Sequence, residues 1–307
     1  MNLLVSIIIP TYNRALLIGE TLDSVLAQTY QKWECILVDD GSTDTTIGIL
    51  KKYSERDTRI QFYSRPKHRL KGANACRNYG FEVSNGDYIQ WFDSDDLMHP
   101  EKIKQKVASL NVLKYDYVVC AGIEFKGNVS NTFNKWNNLS SDTPLISHLT
   151  GDISFHTNGP LFKRSFLENK NLFDETLQRK QEWEFYTRLL IVSSNYFAIQ
   201  NELFYFRIHD ISINGLNSEK TLRSRIQSCR KIVYNLKLKT NILSENSSLR
   251  KHFLKKYIYL IKLALSLKMP FNILLAIIGI IEVMSFNLFI QTILNVVRNL
   301  FSSNYKK

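Results

Sequence analysis

The chain has 307 residues, of which 44% are hydrophobic and 22% are charged, with 12 glycines and 6 prolines. This composition excludes collagen-like, low-complexity and wholly disordered chains, and the length allows one large α/β domain with an appendage or two smaller domains. The net charge is +12, but residues 219–307 alone carry +13 and residues 1–218 carry −1. A near-neutral body with a strongly basic tail predicts that the tail meets an anionic surface, either membrane phosphates or nucleic acid.

The N-terminal segment "MNLLVSIIIP" lacks the basic start of a secretion signal and becomes polar at Thr11. We therefore expect it to form a first β-strand and the protein not to be exported. The four cysteines lie in apolar or helix-like stretches without C-x-x-C spacing: Cys35, Cys76, Cys120 and Cys229. They are typical of small buried hydrophobic residues in a reducing cytoplasm, which is the predicted location.

Apolar runs of strand length alternate with amphipathic helical stretches through the first hundred residues. The predicted strands are 5–10, 34–40, 59–64 and 88–92, and the predicted helices are 15–28, 45–53 and 72–84. This alternation predicts an α/β fold with a mostly parallel sheet that helices cover on both faces. In such sheets ligands bind at the carboxyl ends of the strands.

The second half of the body is patterned less regularly. A helix is predicted over 100–112 and a strand over 115–125, followed by a polar surface excursion from 127 to 150, a helix around Trp183, and a strand and loop that close the body near residue 215. The tail contains an apolar stretch, 271–297, whose only charge is Glu282 but which polar residues interrupt. We expect amphipathic helices that lie on a membrane; the alternative is a helical hairpin packed on the body.

Carboxylates gather where two of the predicted strands end. Asp39 and Asp40 follow the second strand, and "WFDSDD" brings Asp93 and Asp95 after the fourth. Neighbouring carboxylates suit a hard divalent cation such as Mg²⁺ or Mn²⁺, whose remaining positions a diphosphate can fill. Asp96 is expected to face solvent or to cap the next helix.

A less specific interpretation of these acids is a solvated loop at Asp93 and Asp95, and a turn with a helix cap at Asp39 and Asp40. The sequence has neither a G-x-G-x-x-G after the first strand nor a G-x-x-x-x-G-K-[ST] segment, which argues against a dinucleotide fold and a P-loop.

Four segments, in this order and spacing, carry a resemblance to a known family: "VSIIIPTYNR", "LVDDGSTDTT", "GANACRNYG" and "YIQWFDSDDLMHPEKI". Together they resemble family 2 glycosyltransferases of the GT-A fold, strongly over 4–110 and more loosely over 155–215. The resemblance implies a Rossmann-like GT-A domain over 1–215, with a nucleotide-sugar-binding half, 1–110, and an acceptor-binding half, 111–215. A basic helical tail, 216–307, would follow it.

The resemblance also implies roles for individual residues. The nucleoside pocket would be lined by Pro10, Thr11 and Tyr12, with Asp40 and the adjacent Asp39 on uracil or ribose. Arg77 would lie near the donor, Asp93 would touch the ribose or the metal, and Asp95 would be the main ligand of Mn²⁺ or Mg²⁺. His209, in "FRIHDIS", would face the metal or the diphosphate.

The expected catalytic base departs from the family pattern. Members of the family commonly have E-D-W or Q-D-W, whose Asp deprotonates the acceptor hydroxyl, whereas this chain has "KQEWEF". Glu182 is therefore the candidate base and Glu184 the fallback; otherwise both acids lie on the exposed face of a helix. The Glu side chain reaches about 1.5 Å further than that of Asp. The backbone must compensate for this difference, because misplacement of a catalytic group by about 1 Å costs roughly a hundredfold in rate.

The predicted function is metal-dependent, inverting transfer of one sugar from a nucleotide-sugar, expected to be a UDP-sugar, to a glycan acceptor. The acceptor would be lipid-linked, in bacterial cell-surface polysaccharide assembly on the inner face of the cell membrane. Two alternatives remain open: a catalytically weak binding or scaffold module at the membrane, and a sugar-1-phosphate nucleotidylyltransferase, although no Gly-rich loop follows the first strand. No aromatic-interleaved signal supports nucleic acid as a partner.

Overall fold

The computed structural model describes residues 3–112, 114–208 and 218–284. The chain divides into two compact units, Met1–Leu216 and Asn217–Lys307. All four cysteines are buried.

The first unit is built from strands and helices that alternate along the chain. Its strands are β1 (Val5–Thr11), β2 (Trp33–Asp39), β3 (Ile60–Ser64), β4 (Tyr88–Trp91), β5 (Leu97–Met98), β6 (Tyr117–Lys126), β7 (Asn128–Trp136), β8 (Leu161–Lys163) and β9 (Tyr196–Arg207). Its helices are α1 (Ile18–Leu26), α2 (Thr46–Arg56), α3 (Ala73–Val83), α4 (Lys102–Val112), α5 (Pro144–Thr150), α6 (Arg164–Leu167) and α7 (Gln181–Val192).

The strands form one sheet in the order β3-β2-β1-β4-β8-β6-β9-β5, with β7 paired to β6. The first four strands in this order, β3, β2, β1 and β4, run parallel, as the alternating pattern predicts. Strand β6 is also parallel to β9. The short strands β5 and β8 and the edge strand β7 join antiparallel. Because β1, β2 and β4 run parallel and side by side, the loops after them meet at one edge of the sheet.

Both faces of the sheet are covered, which is why β1 and β2 are buried along their whole length. On one face Ile7 packs with residues of α1 and α4, and on the other Ile8 packs with residues of α3 and α7. Successive side chains of a strand point to opposite faces, so a β-branched run that is buried throughout suits a sheet covered on both sides. The predicted α/β fold class with helices on both faces is confirmed.

The polar stretch 127–150, expected to be a surface excursion, is exposed along most of β7 but contains regular structure. This stretch contains the edge strand β7 and the helix α5. Eight of the nine β7 residues are exposed, so the strand has no apolar face that could mark it in the sequence. Its partner β6 supplies the pairing that makes it a strand.

The second unit is helical over its described residues. Its helices are α8 (Glu219–Lys239), α9 (Ile242–Glu245), α10 (Ser247–Ser266) and α11 (Pro270–Val283). α10 and α11 approach closely at Gly279, where an added Cβ would lie 2.3 Å from the ring of Tyr257. Among the described residues, no helix combines the length and the apolar character needed to cross a bilayer. Residues 285–297 of the predicted apolar stretch lie outside the described residues.

Candidate active site

The loop that follows β1 is joined to the loop that follows β2. The Asn13 amide oxygen accepts a hydrogen bond from the backbone N–H of Thr43 at 2.8 Å, and the Asn13 N–H donates to the Ser42 hydroxyl at 2.9 Å. Pro10 and Thr11 are buried at the end of β1. Of the three residues predicted to line the nucleoside pocket, Tyr12 is the exposed one.

Tyr12 is 39% exposed, and the ammonium group of Lys71 lies 4.2 Å from the centre of its ring. An exposed aromatic ring beside a cation can stack on a flat ligand and attract an anionic one. The two residues together suit a nucleotide.

The two acids after β2 differ in what they bind. Asp39 accepts hydrogen bonds from the N–H groups of Gly41 and Ser42, each at 2.9 Å, and thereby closes the turn. Asp40 accepts from the guanidinium Nε of Arg65, and both side chains are largely buried. The turn-forming interpretation thus describes Asp39, whereas Asp40 forms an ion pair that a ligand could share.

Each of the two candidate metal-binding acids after β4 contacts an arginine. Asp93 Oδ1 accepts from Arg77 Nη2 at 2.8 Å, and Asp95 Oδ2 lies 3.2 Å from Arg14 Nε. Arg77 is itself buried, so its charge depends on the acid beside it. These contacts bring the motifs "PTYNR", "GANACRNYG" and "WFDSDD" together.

The expectation that Asp96 faces solvent or caps a helix is wrong, because its side chain is buried. Asp96 Oδ2 accepts from the amide of Asn158 at 2.6 Å and Oδ1 accepts from the N–H of Arg207 at 2.8 Å. The guanidinium Nε of Arg207 also donates to the carbonyl of Asp95 at 2.9 Å. Asp96 therefore anchors the acidic loop to β9.

The segment 156–159 carries no motif in the sequence, yet it contacts both the acidic loop after β4 and Glu182. The Asn158 amide oxygen accepts from the N–H of Asp93 at 2.9 Å, and the Thr157 hydroxyl donates to Glu182 Oε1 at 3.0 Å. His156, Asp93 and Asp96 each offer one ligand atom, and these atoms lie within 4.8 Å of one another. Such a grouping suits a divalent cation.

The two candidate bases lie in different surroundings. Glu182 is partly exposed in the first turn of α7, where the helix dipole favours a carboxylate. Glu184 is buried and accepts from Arg188 Nε at 2.7 Å, an ion pair within α7. Glu184 therefore acts in the packing of α7, and Glu182 is the acid available to a substrate.

The pKa shifts of the buried groups indicate that the charged residues of this site act on one another. Burial lowers the pKa of Arg77, but the carboxylates of Asp93 and then Glu182 more than offset this and raise it overall. Burial also raises the pKa of Asp96 well above its ordinary value, with further increases from Asp95 and Asp93. Burial lowers the pKa of His156, against the pull of Asp93 and Glu182. The predicted residue His209 lies outside the described residues.

A family model described as "Glycosyl transferase family 2" matches residues 6–177, which is more than half of the chain. The chain belongs to glycosyl transferase family 2. The family predicted from the four motifs is thereby confirmed, and the names of the relatives agree with the predicted glycosyltransferase class.

Relatives of this family 2 chain carry matching names. It is 35% identical over 217 residues to a protein of Rickettsia typhi named an uncharacterized glycosyltransferase, a match that covers 67% of this chain and 64% of that one. It is 38% identical over 120 residues to an uncharacterized glycosyltransferase of Haemophilus influenzae, covering 39% of this chain and 46% of that one. The chain thus spans less than two thirds of either relative.

Two solved structures have the same fold. TarS of S. aureus, residues 1–349 in complex with UDP-GlcNAc, superposes with a TM-score of 0.60 at 16% identity, covering 84% of this chain and 81% of that one. The mannosyltransferase PcManGT of Pyrobaculum calidifontis, in complex with GDP-Man and Mn²⁺, superposes with a TM-score of 0.52 at 19% identity, covering 96% and 80%. At these identities the likeness is one of fold, and it agrees with the predicted GT-A class.

Proposed function

We propose that this family 2 chain transfers one sugar from a UDP-sugar to a hydroxyl group of a glycan, with inversion at the anomeric carbon. The observation that carries the proposal is the link between the two groups of acids: Asn158 binds the backbone of Asp93, and its neighbour Thr157 binds Glu182. One short segment thus joins the acids proposed for the donor to the acid proposed for the acceptor.

Glu182 would remove the proton of the acceptor hydroxyl while the hydroxyl oxygen attacks the anomeric carbon. The bond from that carbon to the diphosphate oxygen then breaks, and the nucleoside diphosphate leaves with its bonding electron pair. Arg77 and Arg14 supply positive charge beside Asp93 and Asp95, where the departing diphosphate would lie. Attack from the side opposite the leaving group gives inversion.

The residues of the acidic loop fit a divalent cation. Asp93, Asp95 and Asp96 crowd three carboxylates into four positions, and burial with the nearby charges of Asp95 and Asp93 raises the pKa of Asp96. Asp93 would hold Mn²⁺ or Mg²⁺ with Asp95, the ligand that the motif implies, while the ligand atoms that the fold brings within 4.8 Å of one another are those of Asp93, Asp96 and His156. When bound, the ion would neutralise charge on the diphosphate.

The nucleotide would bind between Tyr12 and Asp40. Tyr12 offers a ring to the base, and Asp40 with Arg65 offers an acceptor beside a donor. Uracil presents an N–H beside a carbonyl, which this pair complements. The complex of TarS with UDP-GlcNAc supports a UDP-sugar, whereas the complex of PcManGT with GDP-Man makes GDP-sugars the comparison to include.

The second unit would bring the enzyme to an anionic membrane, where a lipid-linked glycan of the bacterial cell surface is the proposed acceptor. Phe271, Leu274, Ile277 and Ile281 form an exposed apolar stripe along α11, each 42–54% exposed. Lys251, Lys255 and Lys262 are exposed along α10. An apolar stripe with nearby lysines is typical of a helix pair that lies on anionic lipid at the inner face of the membrane.

The catalytic proposal is tested with purified protein, Mn²⁺ and a panel of UDP- and GDP-sugars, by measuring release of the nucleoside diphosphate with and without glycan acceptors. We expect release with at least one UDP-sugar, and loss of at least about a hundredfold in Glu182→Gln. Full activity of Glu182→Gln would exclude it as the base. Binding of donors without release in any condition would favour the scaffold alternative.

The membrane proposal is tested by sedimentation with vesicles of equal parts phosphatidylcholine and phosphatidylglycerol. Replacing Leu274 and Ile277 together by Glu should weaken binding by at least about tenfold, because it adds charge to the stripe that would enter the interface. The control is Leu238→Glu, a leucine of α8 that is more exposed than either of them. Equal binding of both variants would contradict the proposed surface.

A further inference from the structure

Helix α4 carries two lysines that are completely buried, Lys102 and Lys106, one turn apart. Among the described residues, the hydrogen-bond partners of their Nζ atoms are carbonyl and amide oxygens and Cys120 Sγ rather than carboxylates, although the nearby charge of Asp96 partly offsets the effect of burial on the pKa of Lys102. Burial lowers the pKa of Lys102 and lowers that of Lys106 well below the ordinary value. Lysine is almost never fully buried without a charged partner, because removing an ammonium group from water is costly. The presence of lysine at these two positions therefore calls for an explanation other than core packing.

Both ammonium groups bind the segment 156–159. Lys102 Nζ donates to the carbonyl of Asn158 at 2.6 Å, and Lys106 Nζ donates to the carbonyl of Gly159 at 2.5 Å. Lys106 also donates to the amide oxygen of Gln90 at 2.6 Å, and the Gln90 amide nitrogen donates to the same Asn158 carbonyl at 3.1 Å. The consecutive carbonyls of Asn158 and Gly159 are thus bound by three buried polar side chains, those of Lys102, Lys106 and Gln90.

The side chains of the same segment are those that reach the candidate active site. Asn158 binds the Asp93 N–H and the Asp96 carboxylate, and Thr157 binds Glu182. A shift of the backbone at 157–158 would therefore move the acidic loop and Glu182 relative to each other. Methionine or leucine at 102 and 106 could fill the space at a lower cost in desolvation, but neither could bind a carbonyl.

We propose that Lys102 and Lys106 are positioning residues, which hold segment 156–159 so that Asn158 sets the acidic loop and Thr157 orients Glu182. The part of this inference that concerns catalysis rests on the proposed function. The part that concerns the segment does not, because it predicts the mobility of residues 156–159 whether or not a substrate is known.

The first measurement is hydrogen exchange of the peptide 154–161 in the full-length chain, at a temperature where thermal unfolding shows every variant to be folded. Lys102→Met and Lys106→Met should each speed exchange in this peptide by at least about tenfold, with little change in peptides of β1 and β2. The control is Lys104→Met, an exposed lysine of the same helix, which should match the wild type. Unchanged exchange in both folded variants would overturn the proposal.

Lys102→Met keeps the test decisive if Lys106→Met fails to fold. In Lys102→Met the Asn158 carbonyl still accepts from Gln90, so no buried carbonyl loses every partner. This variant alone must then show faster exchange at 154–161.

The second measurement is the kinetics of nucleoside diphosphate release. The two variants should lower kcat by about tenfold to a hundredfold with KM for the donor within about threefold, because misplacement affects the reacting geometry more than donor binding. In Lys102→Met, Thr157→Val should cost much less than in the wild type, because both changes act through the same contact with Glu182. Faster exchange with an unchanged kcat would overturn the catalytic part.

An inactive wild type would refute the proposed function without deciding the role of the lysines. Hydrogen exchange at 154–161 would still decide that role.

Discussion

The Thr157 hydroxyl donates a hydrogen bond to Glu182 Oε1 at 3.0 Å, and so joins segment 156–159 to the first turn of α7. The family pattern has Asp at the position of Glu182, and the longer side chain would reach too far if it extended freely. The bond from Thr157 and a second from the Gln181 amide at 3.0 Å hold the carboxylate of Glu182. Held by these two bonds, the longer Glu side chain keeps its carboxylate in one position. A catalytic base must be held in this way to meet the acceptor hydroxyl.

The contrast between Glu182 and Glu184 gives the first prediction. Glu182→Gln should lower kcat by about 10²–10⁴-fold and leave the free energy of unfolding within about 0.5 kcal/mol, because the side chain is partly exposed. Glu184→Gln should lower that free energy by about 1–3 kcal/mol, because it weakens the buried bonds to Arg188, and it should retain most of the activity at a temperature where it is folded. Steady-state kinetics and urea unfolding of both variants check this. The opposite pattern would make Glu184 the base.

The second prediction concerns metal dependence. A chelator should lower nucleoside diphosphate release by at least about a hundredfold, and added Mn²⁺ should restore it. Asp95→Asn should weaken the restoration, whereas Asp142→Asn, at an exposed position, should not. UDP at 100 times its dissociation constant adds about 2.7 kcal/mol to the free energy of unfolding, so thermal shifts with and without Mn²⁺ report whether the two bind together. Equal shifts with chelator and with Mn²⁺ would contradict a shared site.

The motif "GANACRNYG" contains a glycine whose role is in packing, which gives the third prediction. A Cβ at Gly80 would lie 2.3 Å from Ile8 Cγ2, so α3 can lie this close to β1 only without a side chain there. Gly80→Ala should lower the free energy of unfolding by about 1–3 kcal/mol, as overpacking of a core does. Gly48→Ala in α2, where no atom lies within 4 Å of the added Cβ, should instead stabilise by roughly 0.5–1 kcal/mol. Urea unfolding of the two variants should therefore give shifts of opposite sign.

The elements that the sequence predicts well are those with a local signal. The strands β1, β2 and β4 are mostly apolar runs of strand length, and acids follow β2 and β4 closely in the chain, so both the strands and the edge they share can be inferred from neighbouring residues. Arg77 and Asp93 lie in separate motifs, each of which is visible in the sequence, and Arg77 Nη2 donates to Asp93 Oδ1 at 2.8 Å.

What the sequence could not predict depends on contacts between distant residues. Asn158 lies 62 residues beyond Asp96, and nothing near it in the chain marks it as a partner of the acidic loop. Asp96 is buried because Asn158 and Arg207 supply its hydrogen bonds, and neither contact follows from the local pattern "DSDD". Lysines at 102 and 106 would ordinarily be assigned to the exposed face of a helix. In the fold, their carbonyl partners come from the turn before β8.

The fourth prediction is a pH dependence of stability that originates in Lys106. Burial lowers the pKa of Lys106 well below its ordinary value of 10.5, so between the folded-state pKa and 10.5 the unfolded chain binds more protons than the folded chain. The free energy of unfolding then rises with pH across that window, by at most about 1.4 kcal/mol per pH unit for one group. Lys106→Met lacks this contribution, and because the charges of Lys102 and Lys106 repel each other, the variant also loses part of the corresponding contribution of Lys102, which acts in the same direction.

The measurement is urea unfolding of the wild type and of Lys106→Met near neutral pH and again at a pH just below 10. The wild type should gain stability relative to the variant as the pH rises, since neutralising Lys106 removes the cost of burying its charge. The control Lys104→Met removes a lysine of the same helix that is 59% exposed and pairs with Glu101, and it tests whether loss of any lysine from α4 gives the same pH dependence. A difference between wild type and Lys106→Met that stays flat or falls with pH would mean that the ammonium group is compensated in the folded chain by something other than the carbonyl of Gly159 and the amide of Gln90.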